Sequence, residues 1–134
     1  MSVFDEVRRL ITSCEGYTIH LLDLSLVDGS DALELGLHWG ISKPDMVISF
    51  RRIYYMAIGR SPNDDIPLLD KIEATELAPD DSAWPDDLDK KMNLVRTTDL
   101  PNMLWLRTEG PVRLEVVAAM VSIHQEVGSS KMIR

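Results

Sequence analysis

The chain lacks the short motifs that identify common enzyme classes. It contains no Gly-x-Gly-x-x-Gly, no Gly-Lys-Ser/Thr phosphate loop, no Gly-x-Ser-x-Gly and no His-Glu-x-x-His, the spacings that place phosphates, nucleophiles and zinc ligands. Its one cysteine, Cys14, is too few for an intrachain disulfide or a Cys-x-x-Cys metal site. The sequence therefore predicts no cofactor, no metal and no catalytic residue, and favours a protein that is not an enzyme.

Long apolar runs and a secretory signal are also missing. The longest unbroken apolar run, residues 116–121, has six residues, against the ~20 that a membrane-spanning helix needs. Asp5 and Glu6 lie where a signal peptide has its basic region. At 134 residues and 45% hydrophobic content, the chain can bury one self-sufficient core. We expect a single cytoplasmic domain over residues 1–134.

The acidic charge is confined to one segment. Residues 61–90 hold ten acidic and two basic side chains, which account for the whole net charge of −8. Because nucleic acid and anionic membranes both require positive charge, this balance disfavours them as partners and favours a basic protein. Arg51 and Arg52, beside two tyrosines, form the only basic and aromatic cluster. Adjacent residues of a strand face opposite ways, which argues against a nucleic-acid platform there.

Apolar periodicity predicts an α+β, strand-rich fold. Helical spacing over residues 3–13 predicts a short N-terminal helix, and from Tyr17 the apolar period changes to two. Residues 17–58 and 103–125 are predicted as two hairpin blocks. Over residues 114–127 a helix is the alternative, but the β-branched content favours a strand with a bulge near its middle. Together these blocks predict one antiparallel twisted sheet of about five to seven strands.

The register of the first hairpin follows from its apolar face. A four-residue loop over residues 28–31 would place Leu24 opposite Leu35 and keep that face continuous. In this register His20 and His38 lie on opposite faces of the sheet and do not converge on one metal ion. We therefore interpret both as hydrogen-bonded structural histidines.

The acidic segment, residues 61–90, crosses between the two hairpin blocks. It holds four of the seven prolines, which exclude a long helix or a central strand. Within it, residues 69–77 are predicted as an edge strand and residues 86–94 as a short helix. Its own apolar residues should tether it to the core.

Trp84 lies among aspartates and prolines of the acidic segment. Interface hot spots are often a Trp anchor inside a polar rim, whereas the alternative is that Trp84 packs into the main core. Trp39 and Trp105 alternate with polar residues and are expected in the core. The candidate protein-interface residues are Asp80, Asp81, Trp84, Asp86, Asp87 and Asp89.

These features favour a non-enzymatic, acidic protein-binding domain, of the inhibitor or immunity kind, that docks a basic protein surface. The paired aspartates do not have the alternate spacing of a calcium loop. One alternative is a small-molecule enzyme or ligand-binding domain, whose pocket between sheet and acidic loop would use His20, His38 or loop carboxylates. Another is a structural module that forms a homodimer or larger homo-oligomer through an exposed edge strand.

Overall fold

Six strands and two short helices make up the computed structural model, which describes residues 4–26, 31–61, 66–79, 86–92 and 100–126. In chain order they are α1 (Asp5–Thr12), β1 (Thr18–Ser25), β2 (Ala32–His38), β3 (Met46–Arg60), β4 (Lys71–Leu77), α2 (Asp86–Met92), β5 (Met103–Glu109) and β6 (Val112–Gln125). This confirms the strand-rich α+β prediction with its N-terminal helix. No helix within the described ranges is both long and apolar enough to cross a membrane.

All six strands form one antiparallel sheet in the order β1-β2-β3-β6-β5-β4. The two predicted hairpin blocks meet at β3 and β6, which pair from Met46 opposite Gln125 to Arg60 opposite Val112. β3 is thus one strand as far as Arg60. Residues 114–125, for which a helix was the alternative, are part of the strand β6. The predicted edge strand of the acidic segment is β4, at the end of the sheet opposite β1.

The register of the first hairpin is not the predicted one. Leu24 pairs with Leu33, two residues away from its predicted partner Leu35. The two strands end at Ser25 and Ala32, so the connection is longer than the four-residue turn. Because the register differs from the predicted one by two residues, an even number, Leu24 stays on its predicted face of the sheet.

Side chains pack into two cores, one on each face of the sheet. Along β5, Leu104 belongs to the larger core whereas its neighbours Met103 and Trp105 belong to the smaller one, as the alternation of a strand requires. The larger core lies under α1 and contains Phe4, Ile11, Leu33, Leu35, Leu37, Ile48, Phe50, Leu106 and Val116. The smaller core lies under α2 and contains Leu77, Leu88, Met103 and Val117.

A bulge in β3 divides the long β3–β6 pair. The register shifts between Ile53 and Tyr55, opposite Ala118, and the preceding Arg52 has a φ of 54°. The left-handed region costs a non-glycine residue roughly 1 kcal/mol or more. The sequence predicted a bulge near the middle of the last strand, β6. The structure has it beside Ala118 of β6, but in the neighbouring strand β3.

One end of the sheet is closed by contacts between its two edges. The Ile19 amide donates to the Pro67 carbonyl and the Leu69 amide to the Tyr17 carbonyl, both at 2.8 Å. Beyond Thr18, which bridges to Leu68, no described strand pairs with the outer edge of β1. Among the described residues, most of β1 is therefore an open edge.

Trp39 does not lie in the core, contrary to the prediction. It is 39% exposed, its ring packs against Tyr17 with centroids 5.3 Å apart, and Lys43 Nζ lies 4.0 Å from its ring centroid. The strand alternation that suggested burial stops at His38, the last residue of β2. Trp105 is half-buried against the smaller core, as expected.

Candidate functional site

The predicted interface residues fall in two groups. Asp80, Asp81 and Trp84 lie outside the described residues, whereas Asp86, Asp87 and Asp89 lie in α2. Leu88, among these aspartates, is 1% exposed and belongs to the smaller core. The helix of the acidic segment is therefore held to the sheet by an apolar residue, while the role of its aspartates stays a prediction.

His20 and His38 converge, and the prediction that they point apart is wrong. Their ring centroids are 6.0 Å apart, with the rings nearly perpendicular at 72°. The cause is a register irregularity in β1 between Ile19 and Leu21, which breaks the alternation at His20. Gly36 on β2 leaves room for the His20 ring, because a Cβ at position 36 would lie 3.1 Å from Cε1 of that ring.

Asp45 connects to this pair of histidines. Its Oδ1 lies 2.7 Å from Nδ1 of His38, and Asp45 is 3% exposed although its partner is half-exposed. A buried carboxylate needs hydrogen-bond donors or positive charge to compensate for lost hydration. An Nδ1–H of His38 donates one such bond. The backbone carbonyl of Asp45, immediately before β3, accepts a separate hydrogen bond of 2.9 Å from the amide of Glu126.

Glu126 completes a cluster of possible metal ligands. His20, Asp45 and Glu126 each offer one donor atom, and these three atoms lie within 4.8 Å of one another. They come from β1, from the connection before β3 and from the residue after β6. Imidazole nitrogen and carboxylate oxygen are donors that Zn²⁺ and neighbouring transition metals accept. Sequence reasoning missed Asp45 and Glu126 because residues so far apart in the chain form no motif.

An open cleft of about 610 Å³ lies between α2 and the sheet. Its lining includes Lys91, Arg107, Arg113, Trp105 and Glu115. The Arg107 guanidinium lies 3.8 Å from the centroid of the Trp105 ring, and Trp105 Nε1 donates to Glu115 at 2.7 Å. The ligand-binding alternative placed histidines or carboxylates in a pocket beside the acidic segment. Three of the four charged side chains that line this cleft are cationic, and the histidine cluster lies elsewhere.

The open edge of β1 carries exposed leucines. Leu22 is 39% exposed, Leu24 is 38% and Leu26 is 73%. Leu24 and Leu26 also line a cavity of about 220 Å³ with Asp31 and Tyr54. Large apolar side chains on an unpaired edge are unusual in a monomer, because they invite association with another chain.

No protein-family model matches the chain, and no characterised protein is significantly similar to it in sequence.

Proposed function

We propose that this chain is a non-enzymatic protein-binding domain that docks a basic partner, of the inhibitor or immunity kind, and that the open edge of β1 is part of its docking surface. The observation that carries the proposal is the row of leucines at 22, 24 and 26, exposed on an edge strand. Burial of this apolar surface supplies affinity, and the acidity of the chain supplies selectivity for a basic partner.

The edge of β1 suits an extended segment of a partner. Residues Leu21 to Ser25 pair with β2 on one side, and their outer side faces no described strand. A segment added there forms main-chain hydrogen bonds and presents alternate side chains to the leucines, which is the recognition mode of β-strand addition. Asp31, beside Leu24 and Leu26 in the small cavity, favours basic side chains in that segment.

Charge argues for a basic partner over a second copy of the chain. Each chain has a net charge of −8, all of it in residues 61–90, so two copies repel each other as they approach, whichever edges would pair. A basic protein is instead attracted to the chain as a whole, and opposite charge raises association rates steeply at low ionic strength. The homodimer alternative remains an outcome of the test described below.

The predicted acidic interface is a separate part of this proposal. The helix α2 packs against the smaller core, to which strands β3 to β6 contribute, whereas β1 is an edge strand separated from β3 by β2. A partner that binds the β1 leucines therefore need not contact α2. The two surfaces are tested with separate variants.

The experiment is affinity purification from the native cell at low and moderate salt, with quantitative mass spectrometry. The edge variant carries Leu22→Ser, Leu24→Ser and Leu26→Ser, and the matched control carries Ile58→Ser and Met120→Ser, which replace side chains that are 46% and 52% exposed away from β1. The acidic-segment variant carries Trp84→Ala with Asp80, Asp81, Asp86 and Asp87 changed to Asn.

We expect the wild type and the control to capture a basic protein that the edge variant does not capture. Its binding should weaken as the salt concentration rises. The captured protein is then purified and titrated against each variant to show direct binding. Equal binding of the edge variant and the wild type would overturn the assignment of β1. Loss of binding only in the acidic-segment variant would assign docking to the acidic segment, residues 61–90. A dimer of the wild type in light scattering, abolished in the edge variant, would replace the partner with a second copy.

A further inference from the structure

We propose that His20, Asp45 and Glu126 bind one divalent transition-metal ion, with Zn²⁺ as the best match, and that His38 positions Asp45 for this role. The three donor atoms already lie within 4.8 Å of one another. Three separate parts of the chain supply them, so a bound ion would link the start of β1, the connection before β3 and the end of β6. The inference does not rest on the proposed docking function, although His20 lies in β1 directly before the proposed docking edge.

The donor atoms need only a small movement to close on an ion. Around a tetrahedral Zn²⁺ with bonds of about 2.0 to 2.2 Å, neighbouring donors are roughly 3.4 Å apart, so separations of no more than 4.8 Å must shrink by at most about 1.4 Å. His20 is exposed and Glu126 is half-buried, so the adjustment falls to these two side chains. Asp45 is buried and serves as the fixed ligand.

Asp45 has the environment of an oriented metal ligand. Nδ1 of His38 lies 2.7 Å from its Oδ1, and a hydrogen bond of this kind holds a ligating carboxylate in one orientation. A bound cation would add to the compensation of charge on a carboxylate that is only 3% exposed. His38 is thus a positioning residue.

The donor set narrows the identity of the ion. One imidazole nitrogen and two carboxylate oxygens, without thiolate, argue against soft ions such as Cu⁺. The imidazole argues against Ca²⁺ and Mg²⁺, which prefer oxygen alone. Zn²⁺ accepts both donor types, and three protein ligands leave a fourth position for water.

The space for the site depends on Gly36. Its missing side chain leaves room for the His20 ring, because an added Cβ would lie 3.1 Å from Cε1 and 3.3 Å from Nε2 of that histidine. The nitrogen and the neighbouring carbon of the ring therefore lie directly over the β2 backbone. This arrangement places the ring on the face that also carries His38 and Asp45.

The test is isothermal titration calorimetry of ZnCl₂ into the full chain after treatment with a chelator. We expect one ion per chain for the wild type and a weakening of at least about 10-fold for His20→Ala and for Glu126→Gln. His38→Ala should weaken binding by about 10- to 100-fold through the lost orientation of Asp45. The matched control is His124→Ala, which removes an exposed histidine of β6 outside the cluster and should leave the affinity unchanged.

A thermal melt of each variant, with and without Zn²⁺, distinguishes loss of the site from loss of the fold. Binding to the native state raises the melting temperature of the wild type and of the control in proportion to ln(1 + [Zn²⁺]/Kd), whereas the ligand variants should melt cooperatively without this rise. The proposal would be overturned by a wild type that binds no ion at roughly 1 mM Zn²⁺. It would equally be overturned by a control that loses as much affinity as His20→Ala.

Discussion

Replacement of Gly36 by alanine tests the packing that brings the two histidines together. The new Cβ would lie 2.9 Å from Cβ of Leu21 and 3.1 Å from Cε1 of His20. The His20 ring can swing aside, but a Cβ cannot move without its backbone, so β1 must shift away from β2. Overpacking of this kind costs about 1 to 3 kcal/mol. A gain of about 0.4 to 1 kcal/mol from the stiffer unfolded chain offsets part of it.

The expected net loss for Gly36→Ala is therefore about 1.3 kcal/mol in the free energy of unfolding, the middle of a range from about 0 to 2.6 kcal/mol. With a urea m-value of about 2 kcal/mol/M, the midpoint of a urea titration should fall by about 0.5 to 1 M. The titration is followed by tryptophan fluorescence. The same substitution should also weaken Zn²⁺ binding, because it displaces the ring that supplies one ligand.

Gly59→Ala is the matched control for this prediction. Gly59 also lies within a strand, β3, and its added Cβ would meet nothing within 4 Å. Neither glycine has a positive φ, so alanine is compatible with both backbones. Gly59→Ala should raise stability by about 0.4 to 1 kcal/mol. If both variants were stabilised alike, the close contact between β1 and Gly36 would be refuted, along with the placement of His20 that depends on it.

Two further predictions concern the two cores. Burial raises the pKa of the Cys14 thiol and of the Tyr17 hydroxyl above their ordinary values of 9.0 and 10.0, so the folded chain retains protons that the unfolded chain releases. The contribution of these two groups to stability should start to fall about one pH unit below 9.0, where the unfolded thiol begins to ionise, and should keep falling as the pH rises through 9.0 and 10.0. The fall should be smaller in Cys14→Ala. Urea midpoints measured from pH 7 to 10.5 check this, and a rise would contradict it. Leu88→Ala, at a side chain 1% exposed, should cost about 2 to 5 kcal/mol, whereas Ile58→Ala at an exposed position should cost little. Equal urea midpoints for these two variants would show that α2 does not depend on Leu88.

Most of the fold was predictable because its strands and its N-terminal helix bury apolar side chains on one face. The spacing of apolar residues in the sequence shows which face is buried. The apolar alternation along β2 and β5 is the alternation of their buried side chains, and the helical spacing before Thr12 corresponds to the packing of α1 on the larger core. The order of the strands was not predictable. The pairing of β3 with β6 joins segments far apart in the chain, and nothing in either segment alone specifies the other.

The histidine and carboxylate cluster depends on departures from regular structure, and that is why the sequence predicted opposite faces for His20 and His38. A face assignment from alternation assumes that every residue of a strand advances the pattern by one step, but the irregularity before Leu21 breaks that count at His20. A glycine on the neighbouring strand then admits the ring, and Asp45 lies outside any strand. Irregularities of this kind are common beside functional sites because they redirect single side chains without disturbing the sheet. For this chain, the failure of the simple alternation at His20 is itself a reason to examine that position for ligand binding.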